Sequence, residues 1–194
     1  MITVVGTGTG TGTGACGLGA LSWRGVRLAV GARRHLDAAA PPPGVRRVAL
    51  GPLAPALDAV ERQLSEGGGP VVVLASGDPG FFGIVRSLAE RFGPEALDVR
   101  PTAPSVAVAF ARAGLPWDDA AVVSAHGRDP RTAVNVCRAH PKTAVLTGPG
   151  AGPAELGAAL AAAGLPRTLV VASALGTADE RVERLSPAEA AART

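Results

Sequence analysis

The chain has 194 residues, 47% of them hydrophobic and 18% charged, which is enough apolar content for a packed core and too little charge for a disordered chain. Its net charge of +3 suits an acidic ligand, but there is no tyrosine, and the basic pairs Arg33-Arg34 and Arg46-Arg47 are short and separated, so it does not read as a nucleic-acid binder. Cys16 and Cys137 lie far apart without CxxC spacing, against a disulfide framework or a bound metal. No apolar run approaches the ~20 residues of a membrane span, and MITVVGTG has no charged leader region, so a soluble, cytoplasmic protein is expected.

Ile2–Val5 is a short β-branched run ended by glycine, the signal of a buried strand. The Gly/Thr-rich stretch from Gly6 to Gly19 follows as a loop, with Leu28–Val30 and Val45–Leu50 as further strands. Leu53, Leu57, Val60 and Leu64 fall at helical spacing over Leu53–Ser65. Val71–Ala75 (VVVLA) is continuously apolar, which predicts burial on both faces, as in a parallel sheet between helices. Phe82–Phe92 reads as a helix, Leu97–Arg100 as a strand, and Pro101–Pro104 as a lobe boundary, dividing the chain into residues 1–103 and 104–194.

Beyond it, Val106–Ala113, Arg131–Ala139 and Pro153–Ala163 read as helices, and Ala121–Ala125, Thr143–Thr147 and Leu169–Ala174 as strands. SPAEA after Leu185 has the N-cap and proline order of a short terminal helix. Alternation of strands and helices predicts an α/β protein with mainly parallel sheets.

Three loops carry the candidate chemistry, because ligands in α/β folds bind beyond the carboxyl ends of the strands. The first is the Gly/Thr loop. Its GxGxxG at Gly12, Gly14 and Gly17 stands too far from the strand end for a dinucleotide fingerprint, and alone the loop reads equally as empty. The second is Ser76-Gly77-Asp78-Pro79-Gly80-Phe81-Phe82-Gly83, where Asp78 reads either as a ligand contact or as a helix N-cap. The third is Pro101-Thr102-Ala103-Pro104-Ser105, which also reads as a plain cap.

Taken together, VVGTGTG, SGDPGFFG after VVVLA, and PTAPSVAVAFARAGLPW resemble the tetrapyrrole (corrin/porphyrin) methylases over essentially the whole chain. VGARRHL, VVSAHGRD, AVLTGPGAGPAELGAALAAAGL and ALGTADERVERLSPAEAA support the likeness, which is strongest to the branch acting at C5 of a precorrin. The resemblance implies a two-lobe α/β fold, a homodimer, and S-adenosyl-L-methionine as cofactor in the cleft between the lobes. It carries cofactor contacts onto Thr9, Ser76, Gly77, Asp78, Phe81, Pro104, Ser105, Thr147, Gly148 and Gly176.

The implied acceptor is a precorrin or cobalt-precorrin, a polycarboxylate. Arg33, Arg34 and His35 are the first candidates to bind it, and Arg128 and His126 the second, since arginine matches a carboxylate with two parallel bonds. Solvated arginines and hydrogen-bonded structural histidines are the plain alternatives. An aspartate of the family's second-strand loop is replaced by Ala32, so no catalytic base is assigned. A chain of 194 residues offers no room for a C15-methylating and decarboxylating module, which is therefore expected in a separate enzyme. Two readings compete: a family member with another acceptor, and a non-catalytic corrinoid- or nucleotide-binding module.

Overall fold

The computed structural model describes residues 1–9, 18–19 and 21–193. Cys16 and the glycines at 12, 14 and 17 lie outside the described residues. The chain forms two compact units, Met1–Ser105 and Val106–Thr194.

The first unit is built on five parallel strands: β1 (Ile2–Gly6), β2 (Leu28–Gly31), β3 (Arg46–Ala49), β4 (Val71–Ala75) and β5 (Leu97–Arg100), in the order β3-β2-β4-β1-β5. Strand side chains alternate between faces. Ile2, Val4, Leu28, Val30, Val71 and Val73 therefore pack on one side, against Ala56 and Val60 of α2 (Leu53–Ser65) and Leu88 of α3 (Val85–Phe92). Val5, Ala29, Val72 and Leu74 pack on the other, against Leu36 of α1 (Arg33–Ala39) and the segment carrying Leu21, Trp23 and Val26. That placement gives Trp23 its role as core filler.

The connections explain the layering. From β1 to β2 to β3 the chain steps toward one edge; from β3 to β4 to β5 it steps toward the other. Right-handed crossovers in opposite directions cover opposite faces. The direction reverses between the neighbours β1 and β4, and their carboxyl ends form a topological switch point, the usual ligand position in an open α/β sheet.

In the second unit β6 (Ala121–Ser124) pairs parallel with β7 (Thr143–Leu146), and β8 (Leu169–Ser173) pairs antiparallel with β9 (Arg181–Leu185). Its helices are α4 (Ser105–Ala113), which begins at the last residue of the first unit, α5 (Pro130–Ala139), α6 (Pro153–Ala162) and α7 (Pro187–Ala191). Ala125, Ala133, Ala151 and Leu156 form its small core.

Three elements differ from the sequence expectation. α1 is absent from the sequence expectation; its N-cap is Ala32, which offers no side-chain cap, so no capping signal marks it. β9 is exposed and charged along RVERL, which hides its strand character. α3 starts at Val85 rather than Phe82, because Pro79–Ile84 forms turns in which Phe82 takes a left-handed φ of 52°. No helix among the described residues is long and apolar enough to cross a membrane.

Candidate functional site

The three loops of the first unit meet at the switch point. The glycine ending β1 makes the approach possible: a Cβ on Gly6 would lie 2.6 Å from Thr102 Cγ2, 2.8 Å from the Gly77 carbonyl oxygen and 3.0 Å from Pro79 Cδ. Thr7 follows, buried, and its backbone N–H and hydroxyl both donate to the Ala75 carbonyl, at 2.9 and 3.0 Å. Gly8 and Gly77 then form an isolated antiparallel bridge, with Gly77 N–H donating to Gly8 at 3.0 Å. Thr9 continues this loop, half-buried.

Gly77 has a φ of 62°, a conformation natural to glycine, and a Cβ there would meet nothing within 4 Å. Its backbone thus borders open space. Ser76 beside it is exposed.

Asp78 is not the N-cap of α3. One carboxylate oxygen accepts from Gly80 N–H at 2.8 Å, closing an Asx turn, and the other accepts from Thr102 N–H at 3.1 Å. It therefore ties the loop after β4 to the loop after β5, where half-buried Pro104 and Ser105 enter α4. Phe81 meets Phe82 edge to face, with ring centroids 5.1 Å apart. A phenylalanine at positive φ is strained, and such strain gathers at functional loops.

Arg33 and Arg34 are exposed on the first turn of α1, whereas His35 is only 5% exposed. Arg34 donates through Nε to His35 Nε2 at 3.1 Å and through a terminal nitrogen to Ser76 Oγ at 3.2 Å. His35 Nε2 also stands 3.4 Å from Thr7 Oγ1, and its Nδ1 is buried without a hydrogen-bond partner. Burial, and then the Arg34 charge, push the His35 pKa down. The structure thus brings Ser76, Gly77, Asp78, Arg34 and His35 together around the strand ends. Thr7 and Thr102, which the sequence reading missed, hold them there. A hydroxyl directly after a buried strand was the available signal for Thr7; nothing local marked Thr102.

In the second unit, His126 and Arg128 are exposed in the turn after β6, where Arg128 N–H donates to Ala125 at 3.2 Å. His126 Nδ1 lies 3.3 Å from the Thr147 carbonyl, so it carries the proton in that contact. A Cβ on Gly148 would come within 2.7 Å of the same Nδ1. His126, Thr147 and Gly148 therefore form one cluster. Gly176, at a φ of 76°, donates its N–H to the Glu180 carboxylate at 2.7 Å, which is also bonded by Arg112. Cys137 is half-buried, and desolvation pushes its thiol up. No group of three His, Cys, Asp or Glu among the described residues is arranged to hold a metal ion.

Comparison with known proteins places this geometry in context. Residues 1–191 match the family of tetrapyrrole (corrin/porphyrin) methylases. The chain is 38% identical over 157 residues to a precorrin-6Y C(5,15)-methyltransferase [decarboxylating] of Sinorhizobium sp, covering 78% of this chain and 37% of that protein. It is 35% identical over 116 residues to a cobalt-precorrin-7 C(5)-methyltransferase of Salmonella typhimurium, covering 59% and 57% respectively. The chain thus spans well under two thirds of these curated relatives. Among solved structures, it resembles a cobalamin-biosynthesis precorrin-6Y methylase of Archaeoglobus fulgidus at a TM-score of 0.68 and 24% identity, over 97% of this chain and 90% of that one. A uroporphyrin-III C-methyl transferase of Thermus thermophilus, crystallised with S-adenosyl homocysteine, gives 0.65 at 22% identity over 100% and 92%. These likenesses establish the fold.

Proposed function

Because the chain belongs to the tetrapyrrole (corrin/porphyrin) methylase family, we propose that it transfers a methyl group from S-adenosyl-L-methionine to C5 of a precorrin or cobalt-precorrin in cobalamin biosynthesis. The observation that carries this reading is the stapled three-loop cradle at the β1/β4 switch point. The cradle suits the cofactor: the Gly77 backbone faces open space, the exposed Ser76 hydroxyl stands beside it, and Ser105 begins a helix from the third loop. Thr9, Ser76, Gly77, Asp78, Phe81, Pro104 and Ser105 are the contacts proposed in the first unit, and Thr147, Gly148 and Gly176 those in the second.

When bound, the sulfonium supplies an already activated methyl group, so in-line displacement by a ring carbon needs no nucleophilic side chain. The protein's task is placement. Asp78 fixes the two loops relative to each other, and the glycine backbone leaves room at the strand ends. Arg33 and Arg34 in the first unit and Arg128 in the second are proposed to meet acceptor carboxylates, as is His126, which shares the turn after β6 with Arg128. Arg34 is held toward the cradle by its bond to Ser76. C5 methylation alone is assigned, with the C15 methylation and decarboxylation in a separate partner enzyme. The support is that relatives named for C5 alone match the chain. A cytoplasmic homodimer is proposed with it; the exposed Trp117, stacked on Phe110 at 6.3 Å beside exposed Leu115, gives an apolar patch for such pairing.

Calorimetry with S-adenosylhomocysteine tests the reading. Micromolar binding that is lost in Asp78→Arg, followed by a C5-monomethylated corrinoid in product analysis, is expected. Absence of binding to folded protein would favour the non-catalytic alternative, and a C15-methylated product would overturn the C5 assignment.

A further inference from the structure

We infer that His35 is a positioning residue for Arg34: its Nε2 lone pair accepts from Arg34 Nε and so holds the guanidinium against Ser76 at the edge of the cradle. The inference deepens the methyl-transfer reading, since it rests on Arg34 meeting an acceptor carboxylate there.

The proton inventory carries the argument. An arginine side chain only donates, so the 3.1 Å bond from Nε requires an unprotonated Nε2. Thr7 has one hydroxyl proton, which points to the Ala75 carbonyl at 3.0 Å; toward His35 it offers only lone pairs, at 3.4 Å. The two neighbours of Nε2 therefore ask for opposite states. A bare Nε2 holds Arg34. A protonated Nε2 donates to Thr7 and turns a positive hydrogen toward Arg34, which loses its anchor. In the neutral ring that holds Arg34, the proton sits on Nδ1, the buried nitrogen that has no partner among the described residues. A side chain 5% exposed and shielded this way is poorly placed to touch an acceptor itself.

The surroundings favour the holding state. From α1 the charge facing His35 is Arg34; from the loop after β1 it is the neutral Thr7; at the end of β4 stand the Ala75 carbonyl and, through Arg34, the Ser76 hydroxyl. Asp37 of α1 turns to Arg47 of β3 at 3.8 Å. Burial and the Arg34 charge both lower the His35 pKa, so the anchor is intact at neutral pH and is lost only as pH falls through that lowered value.

Long-range nitrogen-15 imidazole spectra test the arrangement without cofactor or acceptor, so their outcome is separate from that of the methyl-transfer reading. The Nδ1–H tautomer is expected, together with a titration midpoint that moves up in Arg34→Leu. An Nε2–H tautomer or an unmoved midpoint overturns the proposal. In methyl-transfer assays with S-adenosylmethionine and a precorrin acceptor, His35→Phe is expected to raise the acceptor KM about tenfold with little change in kcat, the size of one hydrogen bond to a charged group. His35→Gln, which keeps an acceptor near the Nε2 position but does not titrate, is expected to restore KM and to flatten its rise at acid pH. Equal losses in the Phe and Gln variants, or an acid rise that persists in the Gln variant, overturn it.

Discussion

The carboxylate of Asp78 accepts the backbone N–H of Thr102 at 3.1 Å across 24 residues of sequence, while its other oxygen accepts from Gly80 at 2.8 Å. One half-buried side chain thus fixes both the shape of its own turn and the distance to the next loop. Asp78→Ala leaves both amides without this acceptor and is expected to cost about 1.5–3 kcal/mol of stability, the range for hydrogen bonds to a charged group. Asp78→Asn keeps one acceptor oxygen but turns amide hydrogens toward a donor, so most of that loss is expected to remain. Urea denaturation of the three proteins checks the order; an isoenergetic Asn variant would show that the second carboxylate oxygen contributes nothing.

Gly6 is where side-chain size decides whether the loops can meet. Gly6→Ala places a Cβ against Thr102, the Gly77 carbonyl and Pro79, with the nearest atom at 2.6 Å. Backbone cannot yield as a flexible side-chain end can, so the substitution is expected to cost about 1–3 kcal/mol, as overpacking does. It should also weaken S-adenosylhomocysteine binding. Gly51→Ala, where a Cβ meets nothing within 4 Å, is the control and should change the denaturation midpoint little. Equal midpoints in both variants would mean that the crowding at Gly6 costs nothing.

How much of this was legible in the sequence depends on how local each cause is. Val71–Ala75 was readable to the residue, because a strand buried on both faces needs a continuous apolar run. The N-cap serine and the proline that open the terminal helix were readable because they are neighbours in sequence. α1 was not, since Arg33-Arg34-His35 looks like a solvated run, and only tertiary packing under the strand ends buries His35. β9 draws its strand character from pairing with β8, not from its own charged residues. Within the site, the motif residues were visible as types, but the Asp78–Thr102 bond joins a side chain to a backbone amide on another strand's loop, and no pattern in either segment encodes it. The likeness of the three loops to a family supplied what periodicity and spacing could not.

The terminal helix offers a local test. Ser186 Oγ accepts from Glu189 N–H at 3.2 Å, and the Glu189 carboxylate accepts from Ser186 N–H at 2.7 Å. Ser186→Ala is expected to destabilise α7 by about 1 kcal/mol, the usual worth of an N-cap. Hydrogen exchange at residues 188–191 should quicken, because the cap fixes the first turn of a five-residue helix that otherwise depends on its close packing against Gly157 of α6. Unchanged protection would place the helix's stability in its packing alone.

Glu180 links Arg112 of α4 to the loop that carries Gly176. Its carboxylate bonds the Arg112 guanidinium and accepts Gly176 N–H, and these contacts, the arginine's first, hold its pKa below the ordinary glutamate value. A carboxylate whose folded pKa is depressed stabilises the fold at pH above its unfolded value, about 4.3, and that contribution fades as pH falls through the folded value. The contacts are largely exposed and screened, so a modest slope is expected, smaller again at high salt. Glu180→Gln should remove that part of the acid dependence while leaving the neutral-pH fold intact. If Gly176 meets the adenine, the variant should also bind S-adenosylhomocysteine more weakly at neutral pH, because an amide accepts the Gly176 N–H less strongly than a carboxylate does. Urea midpoints of both proteins from pH 7 to pH 3 decide the first point: parallel curves would mean that Glu180 contributes no pH-dependent stability, and calorimetry on the same samples decides the second.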